Sequence, residues 1–180
     1  MSHLLTSTKK LLLSFTITIL STLSFADEIP IEACKDNELP RFEDYKIKPE
    51  IIDKRASLKL DNEFSQMFRT RLRSGLRENP IELAGHFIVV TFGCGSSCLY
   101  GGFVDTKTGI ATALPFALNT FFLFGDSEPL EHRSDSSLVI VRGTINESDE
   151  PPVEAYFNWT GKQLQPLCKK QLLNEPYSEK

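Results

Sequence analysis

Residues 92–102 read FGCGSSCLYGG, two cysteines separated by three small residues with glycine outside each. No other stretch restricts the path of the chain as tightly. On one continuous strand, Cys94 and Cys98 would stand roughly 13 Å apart at about 3.3 Å per residue, beyond the reach of a disulfide. In a hairpin with Gly95, Ser96 and Ser97 as its loop, they face each other across the first pair. Opposed Cα atoms of an antiparallel ladder lie about 4.5–5.5 Å apart, which a disulfide spans. Turn and bond therefore imply each other, and Gly95 supplies the backbone freedom of a tight loop. Pairing Cys94 with Cys98 leaves Cys34 for Cys168, a bond that ties the N-terminal part of the chain to its tail. A redox centre and a metal site are the alternatives for Cys94 and Cys98, although dithiol catalysis ordinarily spaces its cysteines by two residues rather than three.

An even number of cysteines suits an oxidising compartment, and the first 26 residues point the same way. Lys9 and Lys10 precede the apolar run LLLSFTITILSTL over 11–23, and Ser24-Phe25-Ala26 sets small residues where a signal peptidase cuts, after Ala26. The run is short for a membrane span and rich in Ser and Thr. The expectation is a cleaved signal peptide over 1–26 and a periplasmic protein with no stable membrane insertion once the leader is gone. Cleavage removes two lysines and no acidic residue, taking the net charge from −4 to −6. That sign argues against nucleic acid as a partner.

The expected organisation is an extended lead-in over 27–60, broken by Pro30, Pro40 and Pro49, and a single α+β domain over 61–180. Phe64, Met67, Phe68, Leu72 and Leu76 recur at helical spacing, predicting an amphipathic helix over 61–77. Asp61 caps its start and Asn79-Pro80 stops it. Arg69, Arg73 and Arg77 form a stripe along it, expected to be a solvated face. Beyond Pro80 the period becomes two. Strands are expected over 84–92, 99–105, 110–114, 120–124, 138–142 and 153–159, the last turning at Thr160-Gly161 into 162–167. In 153–159, Val153, Ala155, Phe157 and Trp159 should point inward and Glu154, Tyr156 and Asn158 outward. The predicted fold is one amphipathic N-terminal helix packed on an antiparallel, meander-like sheet of about six to seven strands.

Several short motifs recur together: FRT at 68–70, AGHF at 84–87, GCGSSC at 93–98, DTKTG at 105–109, RSDSSL at 133–138 and WTG at 159–161. In this combination the chain resembles a family of uncharacterised small secreted proteins of Gram-negative bacteria, over roughly residues 64–167. It departs in Phe92, where that family often has Trp, and in a Phe-rich stretch near 116–124. The resemblance implies export and a shared fold, and brings no activity with it.

Polar residues offer few routes to catalysis. His86 lies eight residues before Cys94, roughly 26 Å along an unbroken strand, too far to activate that thiol or share a metal with it. It should instead sit near Asp105, as a satisfied histidine or a proton-transfer pair. His132, Arg133 and Asp135 read first as a turn before the strand at 138, and second as part of a polar cluster with His86 and Asp105. Phe116, Phe121, Phe122 and Phe124 are core candidates by default and a candidate interaction surface if exposed. No Gly-x-Ser-x-Gly elbow, P-loop or dinucleotide fingerprint occurs. The expected function is therefore a periplasmic binding or interaction module, an inhibitor or accessory protein, stapled by two disulfides and without cofactor, metal or catalytic residues. Its expected partner is another envelope protein. The alternative is a thiol oxidoreductase using Cys94 and Cys98, or a hydrolase built on His86, Asp105, His132 and Asp135.

Overall fold

The computed structural model describes residues 30–172 apart from 36–37, 122–127, 147 and 149. The expected signal peptide therefore lies outside the described residues, as do Phe122 and Phe124. A 3-10 turn, Phe42–Tyr45, leads into helices α1 (Glu63–Met67) and α2 (Arg69–Glu78). Eight strands follow among the described residues: β1 (Phe87–Gly95), β2 (Cys98–Asp105), β3 (Ala111–Ala113), β4 (Leu118–Asn119), β5 (Leu130–His132), β6 (Leu138–Ile145), β7 (Val153–Trp159) and β8 (Leu164–Gln171). All pair antiparallel in the order β1-β2-β4-β6-β7-β8, with β3 added to β2 and β5 to β6.

This corrects the expected architecture. The chain is mostly antiparallel sheet, not an N-terminal helix laid on a meander of six or seven strands. Among the described residues the one α-helical region, 63–78, follows a long lead-in and is broken at Phe68, whose φ and ψ of −103° and 20° leave the helical range. The break puts Met67 in solvent, 64% exposed, although it was expected on the buried face. Asn62, not Asp61, caps the start: its Oδ1 accepts from Ser65 N at 2.8 Å, and Ser65 Oγ accepts from Asn62 N at 3.3 Å. Nor is the strand order that of a meander, because β4 bridges β2 to β6. Strands of two and three residues, such as β4 and β5, are too short to show an alternating pattern. Of the strand expected over 120–124, Thr120 and Phe121 lie just beyond β4 (Leu118–Asn119) and in no strand, and residues 122–124 lie outside the described residues.

The sheet must double back on itself. Four strand steps separate β1 from β7, about 19 Å in a flat sheet at about 4.8 Å per strand. Yet the Phe87 and Trp159 rings meet at 5.3 Å, and Phe103 and Trp159 at 4.6 Å. The odd-numbered side chains of β1, β2, β6 and β7 thus close on one another, burying Val89, Phe103, Val139, Val141, Ala155 and Phe157.

Both outer faces are covered as well. Leu72 and Leu76 of α2 pack on Ile88, Val90 and Val104. Phe64 lies across Gly102, where any Cβ would press into its ring. On the other lobe, Phe42 packs on Leu138, Ile140 and Tyr156. Tyr156 and Glu154, expected to face outward, are consequently buried. Segment 56–59 docks on the turn after β2 through Ala56 N to Thr106 O and Lys59 N to Gly109 O, both at 2.8 Å. Gly109, at φ +75°, passes so close to the Ser57 carbonyl that a side chain there would collide with it.

Candidate functional site

The β1–β2 hairpin carries the cysteine motif to an exposed tip. Its register runs from Phe87 opposite Asp105 to Gly93 opposite Leu99, then slips so that Gly95 faces Cys98. The loop is therefore Ser96-Ser97, one residue shorter than expected, and Cys94 sits in the irregularity instead of facing Cys98 in the ladder. The two Cα atoms remain 5.1 Å apart and the sulfurs are bonded. Gly95 at φ +155° and Ser97 at φ +57° make the tight reversal. Residues 93–96 are exposed. Behind the tip, the Thr120 N–H donates to Ser97 O at 2.7 Å, and Cys98 pairs with Asn119 of β4. The tip is thus fixed by a disulfide across it and a strand beside it. Phe121, 66% exposed, follows directly, its N–H held by Asn119 Oδ1 at 2.9 Å.

Phe116, a core candidate by default and a candidate surface only if exposed, is in the core at 2% exposure, its ring 5.4 Å from that of Phe157. The second disulfide joins Cys34 to Cys168, Cα atoms 4.8 Å apart, where Ala33 bridges Lys169 of β8 in parallel. No described cysteine carries a free thiol.

The candidate polar residues divide among three places. His86 and Asp105 do meet, Nε2 to Oδ1 at 3.7 Å. Glu50 of the lead-in, unforeseen, closes on the other ring nitrogen at 3.1 Å, off the N–H direction, so that the contact is electrostatic and not a hydrogen bond. Asp105 is occupied in its turn, accepting from Lys107 N and Thr108 Oγ1 at 2.8 Å each. Lys107 pairs with Glu50 at 2.9 Å, and that hydrogen bond holds the Glu50 carboxyl below its ordinary value.

His132 is elsewhere: its Nδ1 lies 3.1 Å from the Glu82 carbonyl oxygen, on a cleft of about 620 Å³ between α2, β1 and 128–132 that also exposes Arg71, Glu78 and Glu128. Arg133 reaches Glu43 at 3.1 Å and lies over the Phe42 ring at 4.1 Å. The Asp135 carbonyl accepts from Ile47 N at 2.8 Å, which anchors the lead-in. No contact joins His132 to His86 or Asp105 among the described residues: His132 ends β5, and Arg133 and Asp135 belong to the turn between β5 and β6. No three His, Cys, Asp or Glu side chains are arranged to hold a metal ion among the described residues.

A denser polar network lies where the alternating pattern gave no warning. The β6–β7 register sets Arg142 opposite Glu154. Glu154 Oε2 accepts from Arg142 Nε at 2.7 Å, while Oε1 takes Lys170 Nζ at 2.9 Å and the Tyr156 hydroxyl. Arg142 Nη2 also donates to Glu131 Oε2 at 2.8 Å. Burial pushes the Glu154 carboxyl up, but Tyr156, Lys170 and Arg142 outweigh it and bring it to about 2. Burial and the Glu154 carboxylate push the Tyr156 hydroxyl well above its ordinary value. With every member hydrogen-bonded, the network is an internal clamp between β5, β6, β7 and β8. Its one sequence signal, opposite charges at 142 and 154, becomes legible only once the register is known.

Among the described residues no helix is long and apolar enough to cross a membrane. No family model, curated protein or solved structure matches the chain.

Proposed function

We propose that the protein is an exported binding module of the periplasm that presents the stapled tip at 93–98, with Phe121 at its flank, to another envelope protein. The observation that carries the proposal is the build of that tip. Residues 93–96 are solvent-exposed, yet the tip is held by the Cys94–Cys98 bond and by the Ser97–Thr120 hydrogen bonds. A loop fixed before contact loses little conformational entropy on binding, which is the advantage of such a scaffold in an interface. Two disulfides suit an oxidising compartment, and the apolar run at 11–23 and the resemblance to secreted Gram-negative proteins support export. Cysteines bonded to each other offer no thiolate to a nucleophilic mechanism, and His86 is engaged by Glu50 and Asp105.

Site-specific photo-crosslinking from position 96, in cells with the chain in its native compartment, tests the proposal. One dominant protein adduct is expected, lost when Cys94→Ser and Cys98→Ser are introduced together. Adducts that persist unchanged without the disulfide would count against a presented tip. Turnover of a disulfide substrate that depends on Cys94 and Cys98 would establish the oxidoreductase alternative instead.

A further inference from the structure

The face of α2 that looks away from the His132 cleft borders a second groove, of about 580 Å³. Arg55, Arg73 and Arg77 line it above an apolar floor that includes Leu58 and Leu76. We propose that this groove binds small oxyanions that carry an apolar group, a carboxylate or phosphate head on a short hydrocarbon body. It is separate from the stapled tip and does not depend on the role given to that tip.

Charge is the first ground. Among the described residues no acidic side chain lines the groove, on a chain whose net charge is −4. Arg73 and Arg77, four residues apart, project from one side of the helix. Alone they are the solvated stripe expected from sequence. Arg55, which the docking of segment 56–59 brings from the lead-in, turns the stripe into a convergent set.

Pre-organisation is the second ground. Arg55 Nη1 donates to Leu76 O at 2.8 Å and to Asn79 O at 2.7 Å, which seats the guanidinium over the C-terminal end of α2. That contact offsets the negative end of the helix dipole, which would otherwise repel an anion. Arg55 Nε and Nη2 make no hydrogen bond among the described residues and remain available as a fork for an oxyanion. Arg73 has no carboxylate partner among the described residues. Among the described residues Arg77 pairs with its exposed neighbour Glu78 alone, at 2.7 Å, and a pair of that kind contributes little and exchanges readily.

The floor supplies the third ground. Leu76 and the partly buried Leu58 belong to the apolar cluster beneath α2. The groove falls within the size range of small-molecule sites, roughly 300–1,000 Å³. An anion with a short apolar tail would use both the guanidinium rim and this floor, whereas a bare ion would use only the rim.

Two-dimensional amide NMR of the disulfide-intact protein provides the test, with hexanoate, hexyl phosphate, inorganic phosphate and hexyltrimethylammonium as probes. Saturable shifts are expected at 55–58 and 73–77 with one or both of the alkyl anions, weakening as salt is raised. The relative affinities of hexanoate and hexyl phosphate distinguish a carboxylate from a phosphate ligand. Arg73→Ala, on an exposed face that folding does not need, should weaken binding by about tenfold, the loss of one charge-assisted hydrogen bond. Any one of three results overturns the proposal: no saturable shift with either alkyl anion, inorganic phosphate or hexyltrimethylammonium binding as tightly as the tighter alkyl anion, or unchanged affinity in Arg73→Ala with its thermal midpoint preserved.

Discussion

Replacing Glu154 by Gln should remove a specific component of acid sensitivity. The carboxyl is depressed to about 2 in the folded protein, against an ordinary value near 4.5. A carboxyl depressed in this way contributes stability above its unfolded value and loses it as pH falls through the folded one. Its contribution should thus be complete above about pH 5, mostly lost by about pH 2 and gone below it, with a size on the order of 3 kcal/mol. The side chain is only 11% exposed, so solvent screening removes little of this. Gln fills the same space but leaves Arg142 and Lys170 facing a neutral amide, with Glu131 as the remaining carboxylate in the network. Urea denaturation of both proteins, disulfides intact, across pH 7 to 2 gives the comparison. The variant should be less stable by about 2–4 kcal/mol at pH 7. The two curves should converge as the pH falls towards 2. Other depressed carboxylates, such as Glu43, Asp44 and Glu50, act in both proteins and cancel in the difference. Curves that run parallel from pH 7 to 2 would refute the clamp, because they would mean that Glu154 titrates alike in the folded and unfolded chains.

The same network should keep Tyr156 protonated while the protein stays folded. In an ultraviolet titration to alkaline pH, a tyrosine step should appear only on unfolding, and Tyr156→Phe should abolish it. Stability linked to this hydroxyl is present below its unfolded value near 10 and is lost as pH rises beyond it. Opening the Cys34–Cys168 bond, which spans 134 residues, should cost about 5 kcal/mol in the chain-entropy treatment, against about 2 for Cys94–Cys98. Paired Cys→Ser variants in urea denaturation would rank them, and equal costs would contradict the chain-entropy ranking. Gly109→Ala places a side chain against the Ser57 carbonyl at φ +75°, so it should lower stability by about 1–3 kcal/mol and loosen hydrogen-exchange protection at Lys59.

Local spacing was a good guide where the physics is local, and a poor one where distant segments meet. The bonded cysteines and the antiparallel hairpin around them follow from the reach of a disulfide. Val153, Ala155, Phe157 and Trp159 face the main core, as their alternation implies. The same alternation misplaced Glu154 and Tyr156, because it registers one buried face and β7 is covered on both. What covers the second face, Phe42, lies more than a hundred residues away in a segment that reads only as polar and proline-rich. The architecture failed for a related reason: Leu118–Asn119, two residues long, joins the two lobes and leaves no periodic trace. Of the candidate polar cluster, His86 and Asp105 meet because they lie at the same end of one hairpin. His132, Arg133 and Asp135 go their own ways, since the tight turn there points successive side chains at different neighbours. Arg55, Glu50 and the Arg142 network were beyond reach without the tertiary register.

The most direct test is differential alkylation of the protein taken from its native compartment, with peptide mapping by mass spectrometry before and after reduction. The structure predicts that none of the four cysteines labels without reductant, and that the non-reduced peptides pair Cys34 with Cys168 and Cys94 with Cys98. Labelling of Cys94 and Cys98 in the unreduced protein would contradict a stapled, presented tip and shift attention to thiol chemistry at the same loop.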